Sequence, residues 1–455
     1  MPVQVPGSFS DSGTASFSDD WWRDFNDASL DDLIAQALTE NLSLRIVWDR
    51  LAQAEATARK ADGSLWPQVN LNAGYRRSRQ VVQGQTVHSD LYSVGVAASY
   101  EVDLWSRVRS SREAARLDAQ AGRDAVDAAA ITLAASIANT WYQLAEAKAL
   151  VRIAQGQIEI NRQVLDVVNI QFRNGAASAA DVLRQRQLIS ATQSQLISAY
   201  ETVELLQYTL SVLIGRSPEL AWEHTTVALP KLGPVPEIGV PSEVLWRRPD
   251  VRQAYRQVQA ADQRLAVAIA DRYPRLSLSA SAETSATSVS DLFDDWIGNL
   301  AANAIQPLID GAQRRAEVQR QEAIVSERIH AWGQTLLDAI WDVETALTQQ
   351  RQQSLLLDSL QQQLVLAEQT YDRNRERFMK GQADYIRVLE SLQSLQSLER
   401  EVVRARRTLI QRRIDLYRST AGPWDMSRPE PARTADSSKS NMGTQNKVED
   451  NQVKI

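Results

Sequence analysis

The sequence predicts a mainly α-helical protein with a small β part. Long coiled-coil-like helical hairpins carry two β-hairpins per chain, which several copies must pool to close a transmembrane β-barrel. Three observations lead there. The 455 residues include only 18 Gly and 14 Pro, so glycine stands at about 4% against a usual ~7% and helices run unbroken. Landmarks recur at one offset: Pro67 and Pro274 are 207 apart, as are Asp103 and Asp310, while Gly175 and Gly381 are 206 apart. Between the helices lie segments that alternate apolar and polar residues, the pattern of a strand held between lipid and water.

Each repeat reads in the same order. A helix of 20 to 22 residues (Leu42–Ala61, Asp250–Asp271) ends at a proline-containing step. Two alternating segments follow. Val69, Leu71, Ala73 and Tyr75 share one face, with Asn70, Asn72, Gly74 and Arg76 on the other. In the partner segment Tyr92, Val94, Val96, Ala98 and Tyr100 oppose Ser93, Gly95, Ala97, Ser99 and Glu101. The second repeat sets Leu276, Leu278, Ala280 and Ala282 against Ser277, Ser279, Ser281 and Glu283; its other segment, Trp296–Ile305, alternates poorly.

Then comes a run of about 70 residues without proline, Leu104–Arg173 and Gly311–Lys380. A stripe from Ala130 to Phe172, apolar except at Asn161, repeats every 3.5 residues on average, the coiled-coil value. Such a helix is roughly 100 Å long at ~1.5 Å per residue. Gly175 and Gly381 supply left-handed caps, and shorter helices return over Ala179–Ile214 and Asp384–Arg418. In length, the entry helix and the return helix together nearly match the long one. They are expected to stack end to end beside it, with the leftover segments gathered as a belt at mid-height. The chain then divides into an extended segment (1–20), a first repeat (21–214), an equatorial linker (215–248), a second repeat (249–418), and an equatorial end with a disordered polar tail (419–455).

Composition removes other classes. With no cysteine there is no disulfide, thiolate nucleophile or cysteine-bound metal. His88, His224 and His330 are too scattered for a multi-histidine metal site, and no cofactor is expected. With 50 basic and 56 acidic residues, nothing favours nucleic acid as a partner. No apolar run approaches the ~18 residues of a membrane-spanning helix, which leaves a β-barrel as the only route across a bilayer. Four strands do not close one, so copies must pool strands. Two copies would make a barrel filled by side chains, and three leave a conduit. The N-terminus, Met1-Pro-Val-Gln-Val-Pro, has neither a charged nor an apolar leader region; either the protein stays inside or its leader has been removed.

A set of motifs in a fixed order resembles a known family. Trp21-Trp-x-x-Phe25 with Leu30-x-x-Leu33, Leu65-Trp-Pro67, Tyr100-Glu-Val-Asp-Leu-Trp105, Gly175 before Asp181, Arg247-Arg-Pro-Asp250 and Pro307-Leu-Ile-Asp-Gly311 resemble the TolC-like outer-membrane efflux proteins, in particular the OprM/NodT branch. The resemblance spans Trp21 to Trp424. It implies a homotrimer in outer-membrane lipid, whose β-hairpins complete a trimeric, twelve-stranded transmembrane β-barrel and whose helical hairpins form an α-barrel in the periplasm. It also implies passive export of drugs, metals or other small solutes delivered by an inner-membrane pump and a periplasmic adaptor. The lipidated cysteine common in the branch is absent, and the usual Gly-Gly-Trp ending reads Gly422-Pro-Trp424.

The resemblance places a periplasmic gate at Asp384, Tyr385, Ile386 and Glu390, after the turn at Gly381. Three acidic copies around an axis make a negative ring, and three isoleucines make a dewetting constriction. An acidic residue in a first helical turn is equally accounted for by the helix dipole. Asp181 and Arg184, in the corresponding turn, either lock a closed tip or are solvated helix ends. Asn174, Gly175, Ser178, Gly381 and Gln382 are candidate adaptor-docking tips. Glutamines 349, 350, 352, 353, 361, 362 and 363 either coat a tunnel or form a neutral exterior. Trp66, Tyr273, Trp105 and Trp296 stand at strand ends, as a membrane-interface girdle or as junction core. The alternatives to an efflux duct are a protein-secretion duct and a soluble coiled-coil scaffold. An enzyme is disfavoured, because no phosphate loop, nucleophile elbow or HExxH-type motif appears.

Overall fold

Helix ends fall where the chain offers capping residues, proline or glycine. In chain order a 3₁₀ turn at Trp21–Phe25 precedes α1 (Ala28–Glu40), α2 (Leu42–Gly63), β1 (Gln68–Val82), β2 (Gln85–Val102), α3 (Arg107–Arg173), α4 (Ala179–Leu213) and α5 (Pro241–Arg247); then come α6 (Pro249–Ala270), β3 (Arg275–Ala286), β4 (Ile297–Ile305), α7 (Gln313–Met379) and α8 (Tyr385–Thr420). The computed structural model describes residues 2–15, 20–82, 84–218, 228–422 and 426–429. Residues 1–424 form one unit; in 425–455 only 426–429 are described, without regular structure. The Pro423-Trp424 ending and the polar tail from 430 onward lie outside the described residues.

The two long helices are each 67 residues, roughly 100 Å. Of the α3 stripe, positions 130, 133, 137, 141, 144, 147, 154, 158, 161 and 168 are buried, 151 and 165 are half-buried, and Phe172 at the tip is exposed. α2 and α4 both pack along α3, and α6 and α8 along α7. The short helices do meet end to end. The Asn41 side chain caps α2 at Leu44 N (2.8 Å) and donates to Leu213 O at the end of α4 (2.8 Å). Gly215, at φ +81°, lies so close that a Cβ would sit 2.4 Å from Glu40 O; no other residue fits. In the second repeat Arg248, buried at the start of α6, donates to Ser419 O (3.1 Å) near the end of α8 and pairs with Asp250 (2.7 Å) and Asp342 (3.1 Å).

At mid-height a belt packs on one side of this wall. Trp21 stacks on Tyr417 at 5.5 Å and Phe25 meets Tyr142 at 5.3 Å. Asp27 caps α1 and accepts from Trp141 Nε1 (2.7 Å). Each such fully buried aromatic contributes about 2–3 kcal/mol. The N-terminal segment runs along α7, with Pro2 near Gly333, Ser10 bonded to Glu344 and Asp11 paired with Arg351. Extended chain at ~3.3 Å per residue keeps pace there with twice as many helical residues at ~1.5 Å.

The repeat is imperfect at the step from strand to long helix. Asp310 accepts from Arg314 (3.0 Å). Asp103 instead pairs with Arg109 (3.0 Å), and Arg107 goes to Glu101 (2.6 Å). Glu101, at the end of β2, out-competes Asp103 for the nearer guanidinium.

Candidate functional site

The four strands form one antiparallel sheet in the order β1-β2-β3-β4. Its register decides which side chains share a face. Val69 sits opposite Ala98, Ala98 opposite Ala280, and Ala280 opposite Leu300; Leu71 continues through Val96 and Ala282 to Gly298. Tyr100, Leu278 and Ala302 form a further row. The intervening rows are polar: Asn70 with Ala97, Ser281 and Asn299, and Ser99 with Ser279. The poorly alternating segment is thus a strand, Ile297–Ile305, whose Leu300, Ala302 and Ala304 join the apolar face. Its nine residues span about 30 Å, or roughly 23 Å along a normal at 40° tilt, close to the ~25 Å apolar band of an outer-membrane barrel. β1 and β2 are longer, at 15 and 18 residues, and carry Arg76, Arg77, Arg79 and Asp90 on their outer ends.

The strand-end aromatics divide between the two ends of the sheet. Trp66, Tyr273 and Trp105 flank the helix-side end, all substantially exposed. Tyr273 stacks on Trp105 (4.8 Å) rather than on its repeat counterpart Trp66, and Trp105 Nε1 donates to Pro274 O (2.9 Å). Trp296 is at the opposite end, beside Phe293 (6.5 Å).

The far ends of the long helices close as matched turns. Gly175 (φ +74°) and Gly381 (φ +71°) are the left-handed residues. Ala176 N donates to Gln171 O (2.8 Å) and Gln382 N to Arg377 O (2.9 Å), the Schellman pattern. Asn174, Ser178 and Gln382 are exposed at these tips. Ser178 caps α4 in a reciprocal box with Asp181, which also pairs with Arg184 (3.4 Å). Asp384 is the exposed N-cap residue of α8, without a side-chain cap bond, and Ile386 and Glu390 are exposed. Tyr385 departs from this group. It is buried with Val168, Val182, Phe378 and Val388, and burial, helped by the Asp181 charge, pushes its hydroxyl pKa up. Of the glutamines, Gln350 is buried and Gln353 donates to Ala405 O on α8 (3.0 Å).

A buried polar chain near the tips has little sequence signal beyond Asn161, the one break in the apolar stripe. Tyr385 OH donates to Gln185 Oε1 (2.6 Å), and Gln185 Nε2 donates to Asn161 O (2.7 Å). Asn161 donates to Thr192 (3.2 Å) and accepts from Gln396 (2.9 Å). Gln157 donates to Gln396 O (3.0 Å) and to Glu399 (2.6 Å). The chain ties α3 and α4 of one repeat to α8 of the other. Amides are long, two-ended connectors, and left unpaired here each would cost about 1–3 kcal/mol.

A wall of ~100 Å helices carrying a sheet with one lipid-compatible face defines a channel subunit with a helical tunnel. The comparisons specify it further. The family described as Outer membrane efflux protein matches residues 33–216 and 240–422, and the chain belongs to that family. It is 30% identical over 423 residues to the pyoverdine export outer membrane protein OpmQ of Pseudomonas aeruginosa, covering 91% of this chain and 89% of the relative. It is 24% identical to the cation efflux system protein CusC of Escherichia coli, covering 93% and 94%. The solved outer-membrane channel OprN superposes with a TM-score of 0.85 at 24% identity, over 93% of this chain and all of that one. The protein is an outer-membrane efflux duct whose helical part stands in the periplasm.

Proposed function

We propose that three copies close edge to edge into a twelve-stranded barrel continued by a helical tunnel, through which small solutes leave after delivery by a periplasmic adaptor and an inner-membrane pump. One observation carries this: both edges of the subunit are unfinished. Among the described residues β1 and β4 each lack a neighbour on one side, a condition lipid does not tolerate. The helices on the same two edges expose apolar side chains away from the core, Leu183, Ile197, Leu205 and Val212 on α4 and Leu337, Trp341, Leu355 and Leu366 on α7. Joining edge to edge covers both. Within that ring Ile386 and Glu390 form the gate, Asp384 adds charge at its rim, and Tyr385 positions α8 from inside. Asp181 and Arg184 are helix-end groups, and Asn174, Gly175, Ser178, Gly381 and Gln382 are the tips that meet the adaptor. The likenesses to a pyoverdine export protein and a cation efflux protein support small-solute cargo over secreted protein. Ultracentrifugation of the detergent-purified protein, followed by planar-bilayer recording, tests the ring. A trimer that conducts, and conducts more after Glu390→Ala, is expected; a stable monomer overturns the proposal.

A further inference from the structure

On the face of the wall opposite the belt, α3, α4 and α8 enclose a groove of about 470 Å³ whose lining includes Leu150, Ala154, Ser194, Ser198, Arg400 and Arg404. Helical phase fixes its side. At about 100° per residue, Arg404 lies roughly 180° and 140° around α8 from the belt-facing Arg413 and Tyr417, and Ala154 roughly 140° and 120° around α3 from Trp141 and Tyr142. With the belt outside the proposed tunnel, the groove opens into it.

Two guanidinium groups and no carboxylate line the groove, with the charged Glu399 close beside Arg400. Arg400 spends one nitrogen on Gln157 Oε1 (2.7 Å), while the nearby carboxylate of Glu399 is occupied by the Gln157 amide (2.6 Å). Arg404 makes no ion pair among the described residues, and burial together with the Arg404 charge holds Arg400 below the ordinary guanidinium pKa. Two guanidinium groups four residues apart on one face repel each other (like-charge helix pairs are unfavourable) unless an anion sits between them. Arginine forks match carboxylate and phosphate oxygens, and the Ser198 hydroxyl lines the same groove, whereas the Ser194 and Thr202 hydroxyls donate within α4 to Ser190 O (3.2 Å) and Ser198 O (2.8 Å).

We propose that this groove is an oxyanion-binding station in the tunnel wall, one per subunit, selecting cargo that carries carboxylate or phosphate groups. It rests on the duct reading for its place in the lumen, but the site itself lies within one chain. The test titrates the detergent-purified full-length protein with citrate and with pyrophosphate at low salt by calorimetry, and records citrate block in planar bilayers. Binding is expected, about tenfold or more weaker in Arg404→Gln, the size of a lost charge-assisted contact, and intermediate in Arg404→Lys, which keeps the charge and loses the fork. Preference for citrate assigns the carboxylate class, and preference for pyrophosphate the phosphate class. Absence of binding, or equal binding by Arg404→Gln, overturns the site even if the channel conducts. Binding without any effect of citrate on the current overturns the luminal placement. Binding by a protein that passes no current leaves the site standing and removes the duct.

Discussion

Leu300 is 86% exposed in the single subunit, on the apolar face of β4 and fourth of its nine residues. In water such a side chain is replaced by arginine at no cost. In a membrane barrel the same position lies near the midplane, and arginine there costs about 2–4 kcal/mol per copy, repeated around a trimer. Its neighbour Asn299 points to the opposite, polar face, in register with Ser281, so Asn299→Arg leaves the lipid contact untouched. Folding of Leu300→Arg, Asn299→Arg and wild type into phosphatidylcholine vesicles, followed through a urea titration, separates the two cases. Leu300→Arg is expected to lose most of its folded fraction at urea concentrations where Asn299→Arg still matches wild type. Equal folding of the two variants would refute the assignment of the faces, and with it the lipid-spanning sheet.

Two further predictions concern the helical part. Tyr385→Phe leaves the fully buried Gln185 Oε1 without its donor and should destabilise the tips by about 1–3 kcal/mol; an unchanged thermal unfolding curve would show that the Tyr385 bond is dispensable. Asp127, 3% exposed on α3, has its pKa raised to about 6 by burial, against the lowering influence of Arg123 and Arg252. A raised folded-state pKa means its contribution is fully present below the unfolded value near 3.8 and is lost as pH rises through about 6. Asp127→Asn should therefore unfold at higher temperature than wild type above pH 6 by about 2 kcal/mol of stability, and the advantage should vanish near pH 4. A constant difference between the two across that range would mean that the Asp127 carboxylate does not titrate there.

Periodicity exposed most of the fold. The 206–207 offset, the 3.5-residue stripe and the glycine stops place α3, α7 and their turns to within a few residues, because each depends on neighbours along one helix. The weak alternation of Trp296–Ile305 was legible only in part: Ile297 and Ile305 break the polar face at the strand ends, and its side assignment comes from pairing with β3. The candidate site was legible where backbone geometry decides it, at Gly175 and Gly381. It was not legible at Tyr385, which sits among outward-facing residues in sequence but turns inward to meet Gln185, 200 residues away.

By itself, then, the chain's order of residues determined a doubled helical unit with short lipid-compatible strands, since hydrophobic period and backbone conformation are local properties. Tertiary structure alone decided the left-handed N-caps at Ser106 and Ala312, two residues with no shared chemistry. It also decided the exchange of partners at Glu101 and Arg107 and the gathering of Asn161, Gln185 and Gln396 into one polar chain. Each of these depends on which distant segment arrives beside it, and a buried donor or acceptor accepts whichever partner packing brings within reach.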